Sequence, residues 1–248
     1  MPAPGSVGDH AWVFDLVESD ARRRHAALDR HRRLLDAALE GRARMNQVWA
    51  EAGAPAPIRP PSAAAAWERA QAAYETNWNQ TVFGPIEAFL AAPGELTDGL
   101  AAQHAARTVG DAGADPDAYE RLTPYALLFL QWEALHPAEW RAAGRAAWSP
   151  WTTKELVLAR LARGGVPAGH RSAVADLVVL ALRRDYRCKD WRYAAVARHV
   201  DGPVFRRRVG DHTDDAVAGP RARFLLYLLD HPGEPVTRTS WRRWERVR

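Results

Sequence analysis

The sequence predicts an all-α protein of many modest helices, built as stacked helix pairs or as a compact helical bundle. Three observations lead there. Apolar residues recur at three-, four- and seven-residue spacings, the period of a helix with one buried face. Prolines and glycines punctuate the chain at intervals that suit helix starts and stops. No stretch sustains the alternation of a strand, and the β-branched residues cluster inside helical patterns.

From Asp9 to Glu40 there is no proline or glycine, and Phe14, Ala21, Leu28 and Leu35 recur every seven residues. One long amphipathic helix is expected, with Arg24 and His31 as polar interruptions of its seam and Gly41 as its end or bend. A second helical stretch carries Met45, Val48 and Trp49 to Gly53. The span 54–61 holds four prolines and reads as an extended linker. The expected organisation is therefore an N-terminal helical segment (1–53), that linker, and a helical domain (62–248).

Ser62 is expected to cap a helix bearing Trp67 and Tyr74, and Gly84-Pro85 to open a shorter one with Ile86, Phe89 and Leu90. Another is expected from Thr97 to Gly110. Asp115-Pro116, Thr123-Pro124 and Pro137 each resemble a helix start, with proline at the first helical position. Thr152 and Glu155 have capping-box spacing ahead of Leu156-Val157-Leu158, and Gly164-Gly165 ends that helix. Ala168 to Arg184 is strongly apolar along Val174, Leu177, Val178 and Ala181. Asp190 caps the next helix, Pro203 and Gly219-Pro220 open two more, and Ser240 caps the last.

Serial helix pairs joined by tight turns resemble the architecture of HEAT-like α-solenoids, expected here from about residue 95 onward. An internal echo agrees with repetition: Gly110-Asp111 precedes Arg121, Leu127, Leu128 and Leu130, and Gly210-Asp211 precedes Arg221, Leu225, Leu226 and Leu229.

The chain has 248 residues, 47% of them hydrophobic, enough for a core without covalent staples. A single cysteine, Cys188, excludes an internal disulfide framework, and no secretory pattern opens the sequence, so cytoplasm is expected. No apolar run reaches the roughly 18 residues of a membrane helix; Tyr125 to Trp132 reads as a buried helix instead. Of the 34 basic residues only Lys154 and Lys189 are lysine. The net charge of +4 is unevenly spread: residues 183–248 hold 16 basic and 9 acidic side chains, and residues 1–182 carry net negative charge.

The phosphate loop, the dinucleotide fingerprint, the HExxH pair and the nucleophile elbow are all absent, which removes the easily read enzyme classes. The stretch Tyr186–Tyr193 interleaves basic and aromatic side chains. Arg187, Lys189 and Arg192 suit phosphates, and Tyr193 or Trp191 offers a stacking face. With Arg206, Arg207 and Arg208 they form the candidate polyanion surface. The opposing reading buries Trp191, makes Asp190 a cap and leaves the arginines solvated or paired with acids. Asp190 and Trp191 are also the candidate catalytic pair if the protein acts on nucleic acid, by analogy with HEAT-like DNA alkyl-base glycosylases.

Asp211, His212, Asp214 and Asp215 are the nearest approach to a metal-ligand set, but aspartates before a helix are expected as caps, and no metal or cofactor is expected. Glu133 and His136 have Glu-x-x-His spacing without the second pair a di-iron bundle needs. The leading expectation is a non-enzymatic binding or scaffold protein that meets a protein or nucleic acid through its basic C-terminal region. A nucleic-acid enzyme and a helical enzyme with a tryptophan-lined small-molecule pocket are the alternatives.

Overall fold

The computed structural model describes residues 7–52, 61–92, 117–144 and 149–246. Every regular element among them is helical. Eleven α-helices are named here: α1 (Ala21–Ala52), α2 (Pro61–Gln80), α3 (Phe83–Ala91), α4 (Ala118–Leu135), α5 (Pro137–Gly144), α6 (Pro150–Gly164), α7 (Arg171–Arg183), α8 (Tyr193–Ala197), α9 (Pro203–Gly210), α10 (Gly219–Asp230) and α11 (Arg238–Arg246). Short 3-10 segments cover Val7–Val17, Ala168–His170 and Asp190–Arg192. The expected helix from Thr97 to Gly110, the Asp115-Pro116 start and most of the proline linker lie outside the described residues. None of the described helices is long and apolar enough to cross a membrane.

The chain forms two compact units, Met1–Pro85 with Ala142–Ala147, and Ile86–Arg141 with Trp148–Arg248. In the first, α1 packs along α2, so the helices on either side of the proline segment share one core. The expected single helix from Asp9 breaks at Glu18–Asp20. Asp20 accepts the Arg22 backbone N–H at 2.8 Å, which satisfies a free amide at the new helix start. Gly41 neither ends nor bends α1 out of register. A Cβ there would lie 2.8 Å from the Tyr74 backbone nitrogen and 3.2 Å from the Ala70 carbonyl oxygen, so glycine is what lets α2 approach this closely. The seam position His31 is fully buried, its ring set edge-on to Phe83 at 5.4 Å.

The second unit is organised around α4. From Tyr125 to Leu130 every residue of this helix is buried, and Trp132, Glu133 and Ala134 are buried beyond it. It packs on α6 and α7; α8 then packs on both of those and on α10, which carries α9 and α11. The expected start at Thr123-Pro124 is a correction: Pro124 lies inside α4. Proline has no N–H to give the carbonyl one turn back, and beside it the Thr123 hydroxyl donates to the Tyr119 carbonyl at 2.8 Å. The Thr152–Glu155 capping box is a second correction. Ser149 is the cap, accepting from the Thr152 amide at 3.4 Å with Pro150 at the first helical position, and Glu155 is free for another task. The last helix is capped by Thr237, not Ser240. Thr237 Oγ1 accepts the Ser240 N–H at 2.9 Å, and Ser240 Oγ accepts the Thr237 N–H at 3.0 Å, a reciprocal box. Gly164-Gly165 ends α6 as expected, with Gly165 at φ 78°.

Burial, with Arg32 adding to it, lowers the His31 pKa from 6.5 to about 4. Between those values only the unfolded chain takes up the proton. Stability is therefore full above about pH 6.5 and falls as the pH drops toward 4, by about 3 kcal/mol in all for this group. Urea unfolding of the first unit between pH 7.5 and 4.5 is expected to show that loss, and His31→Gln to flatten it. An equally steep profile in His31→Gln would assign the acid sensitivity elsewhere.

Candidate functional site

The residues singled out around Tyr186–Tyr193 gather on the second unit, but most of them face inward. At the centre lie Glu133 on α4 and Lys154 on α6, both 0% exposed. Lys154 Nζ donates to Glu133 Oε2 at 3.1 Å and to Asp190 Oδ1 at 2.6 Å. The Arg184 guanidinium bridges the same two carboxylates, reaching Glu133 Oε2 at 2.8 Å and Asp190 Oδ2 at 2.7 Å. Arg187 closes the ring from the rim. Its side chain donates to Glu133 Oε1 at 3.1 Å and to the Glu133 carbonyl, and its backbone N–H donates to Asp190 Oδ2 at 2.7 Å.

Three cations thus share two carboxylates, and every carboxylate oxygen has a partner. The aromatic walls add to this. Lys154 Nζ lies 5.5 Å from the ring centres of both Trp151 and Tyr193. Burial, and then the nearby charges of Glu133 and Asp190, hold the Tyr193 phenol well above its usual pKa. It is a neutral wall of the cluster, not a stacking face for a partner.

Local backbone geometry turns Asp190 inward. Lys189 sits in the left-handed region at φ 70°, a conformation non-glycine residues rarely adopt. That reversal aims the next carboxylate at Lys154, so Asp190 is a buried anchor (8% exposed) and not the solvent-side cap that its sequence position suggested. Lys189 itself pairs with Glu155, which also takes Arg192 Nη2 at 2.7 Å and Nε at 3.0 Å. Burial opposes the Glu155 charge, but the hydrogen bonds from Lys189 and Arg192 overcome it and hold its carboxyl below the usual range. The Arg192 guanidinium stacks on the half-buried Trp191 ring at 4.5 Å.

The remaining candidates divide. Arg206 pairs with Asp201 at 2.7 Å and Asp230 at 2.5 Å, and Arg208 with Asp176 at 2.7 Å. Arg207 is exposed, and no ion pair among the described residues involves it. The same holds for Arg238, Arg242 and Arg243 on α11, which motif reading passed over. Their helix is strongly amphipathic. Trp241 and Trp244 pack on Phe224, with centroid separations of 5.1 and 5.6 Å, and Trp244 also on Tyr227 at 4.9 Å. With both indoles turned to the body, the arginines are turned to solvent.

In the 211–215 loop, Asp215 accepts the Val217 and Ala218 amides, each at 2.7 Å, which holds its carboxyl below the usual range. Asp211 and Asp214 are exposed and His212 half-buried beside it. Among the described residues no three histidine, cysteine or acidic side chains converge as a metal-ligand set. Cys188 is exposed.

Behind the 184–192 segment lies a cavity of about 40 Å³. Tyr186, Trp191, Tyr193, Phe224 and Trp241 line it together with aliphatic side chains, and Asp190 and Arg221 are its charged members. Arg221 donates to the carbonyls of Ala181 at 3.1 Å, Arg184 at 2.5 Å and Val217 at 3.2 Å.

No family model, curated protein or solved structure matches the chain.

The charge count of the cluster sets an order of severity. Glu133→Gln removes one of two anions and leaves three cations about Asp190, so a loss of about 3–5 kcal/mol is expected in urea unfolding. Lys154→Met leaves two arginines for two carboxylates, a neutral set, and is expected to cost less than half as much. A Lys154→Met loss equal to that of Glu133→Gln would show that the ammonium, and not charge balance, holds the cluster together.

Proposed function

We propose that this protein is a non-enzymatic binding protein that holds an anionic macromolecular partner against its basic C-terminal region. The observation that carries the reading is the outward row Arg238, Arg242 and Arg243 on α11, with Arg207 as a further exposed cation. Neighbouring arginines of the same region are neutralised by Asp176, Glu155, Glu133, Asp201 and Asp230. Free guanidinium groups on one helix suit phosphate oxygens, because each offers a planar fork of donors.

Binding is favoured over catalysis by the state of the acids. Asp190, the aspartate beside tryptophan that a nucleic-acid enzyme would use, already accepts from Lys154, Arg184 and the Arg187 amide. A general base needs a free lone pair within reach of substrate, and this carboxylate has none to offer. The serial short helices of the second unit suit a repeated-pair solenoid, although α4 packs chiefly on α7 and α6 chiefly on α8 and not each on the next helix.

Fluorescence anisotropy with labelled single- and double-stranded oligonucleotides, at about 50 and 200 mM salt, tests the reading. Micromolar or tighter binding that weakens steeply with salt is expected. Replacing Arg238, Arg242 and Arg243 together by glutamate is expected to lower affinity by about two orders of magnitude. Retained binding in that variant would move the surface away from α11, and absence of binding at low salt would overturn a nucleic-acid partner.

A further inference from the structure

Resting on the arginine face of α11, we infer that the cavity beside it is a receptor for one unstacked base of a single-stranded nucleic acid, entered when Tyr186 swings aside. The two features share a helix: Trp241 lines the cavity, while Arg238 and Arg242 flank it in sequence and face outward. Tyr186 forms the link between them. Its ring lies parallel to Trp241, 4° between planes and 5.9 Å between centres, and Arg238 is near enough to bear electrostatically on its hydroxyl.

The chemistry of the wall selects a neutral planar ring. Five aromatic side chains line it, and its two charged members, Asp190 and Arg221, are of opposite sign. Because the wall carries one charge of each sign, an ion of either sign entering the cavity meets a like charge as well as an opposite one and gains little over water. A nucleobase carries no net charge, stacks on indole, and presents donors and acceptors only at its edge. Its phosphates stay outside on the arginines. A duplex cannot use the site, since its bases are already stacked and paired.

Size dictates the gate. About 40 Å³ holds a water molecule or two and no base. Tyr186 is the wall that has to move: it is 43% exposed, sits on the non-helical segment between α7 and the Asp190 turn, and gives up a hydrogen bond from the Trp191 backbone on leaving. Displacing its ring frees the Trp241 face for the incoming base, and the cavity behind receives the base edge.

Two substitutions of opposite sign test this against a merely structural role. Ala194 lines the cavity on α8, and Ala194→Leu fills the space without touching α11. Tyr186→Ala removes the gate. Binding of the full chain to fluorescein-labelled dT15 and to a 15-base-pair duplex is read by anisotropy, with circular dichroism confirming that each variant folds. Single strand is expected to bind about tenfold more tightly than duplex. Ala194→Leu is expected to erase that preference while leaving duplex affinity unchanged, and Tyr186→Ala to tighten single-strand binding severalfold. A strand carrying 2-aminopurine is expected to lose fluorescence on binding wild type and to keep it on binding Ala194→Leu. Should Ala194→Leu fail to fold, the Tyr186→Ala shift and the 2-aminopurine signal decide alone. Equal binding of single strand and duplex, with no quenching, would overturn the base receptor and leave the arginine surface standing. Failure to bind either probe at 50 mM salt would overturn both.

Discussion

Moving an ammonium group and two carboxylates out of water costs several kcal/mol per ion, and a fold can include them only where each charge meets close partners. In the second unit Lys154 and Arg184 meet that condition by drawing Glu133 and Asp190 together. The requirement is geometric. Glu133 comes from α4, Lys154 from α6, Arg184 from the end of α7, and Asp190 from the turn before α8. These four elements must dock in register before every charge has all of its partners. Apolar packing around Leu128, Leu158, Val178 and Val196 supplies the larger free energy, but it tolerates sliding. The ion cluster does not.

That constraint explains where charge appears on the surface. Its three cations include two from the basic C-terminal region, Arg184 and Arg187, and both are spent on Glu133 from the acidic part of the chain. Glu155 likewise takes Lys189 and Arg192, and Asp176 takes Arg208. The excess of positive charge read along the sequence is therefore largely cancelled in space. Among the described residues the cations left without an ion pair include Arg207 on α9 and the three arginines of α11, where the aromatic anchors Trp241 and Trp244 use up the inward face and leave arginine the outward one.

Much of the helical framework was legible because it is written in local terms. Pro137, Pro203 and Gly219-Pro220 open helices where local rules place them, and Gly164-Gly165 closes one. Local rules misplaced boundaries when a neighbouring signal was equally good. Ser149-Pro150 outcompetes Thr152, and Thr237 outcompetes Ser240, because in each pair both residues are competent caps and the earlier one leaves more chain helical. Gly41 was ambiguous for a different reason. Its role depends on how closely α2 approaches, which no property of α1 encodes.

The candidate site was legible in place and inverted in orientation. A run such as Tyr186–Tyr193 has two physical solutions, one with its charges facing a ligand and one with them facing internal acids. The choice belongs to residues 34 to 54 positions away in sequence: Glu133 draws in Arg187, Glu155 draws in Lys189 and Arg192, and Lys154 draws in Asp190. One signal did point there. A chain that uses arginine at nearly every basic position keeps lysine at two, and both lie at this cluster, Lys154 in its centre and Lys189 at its edge. Lys154 sits between two rings and two carboxylates, a space that suits a compact ammonium and not a planar guanidinium. Composition bias becomes informative at the positions that resist it.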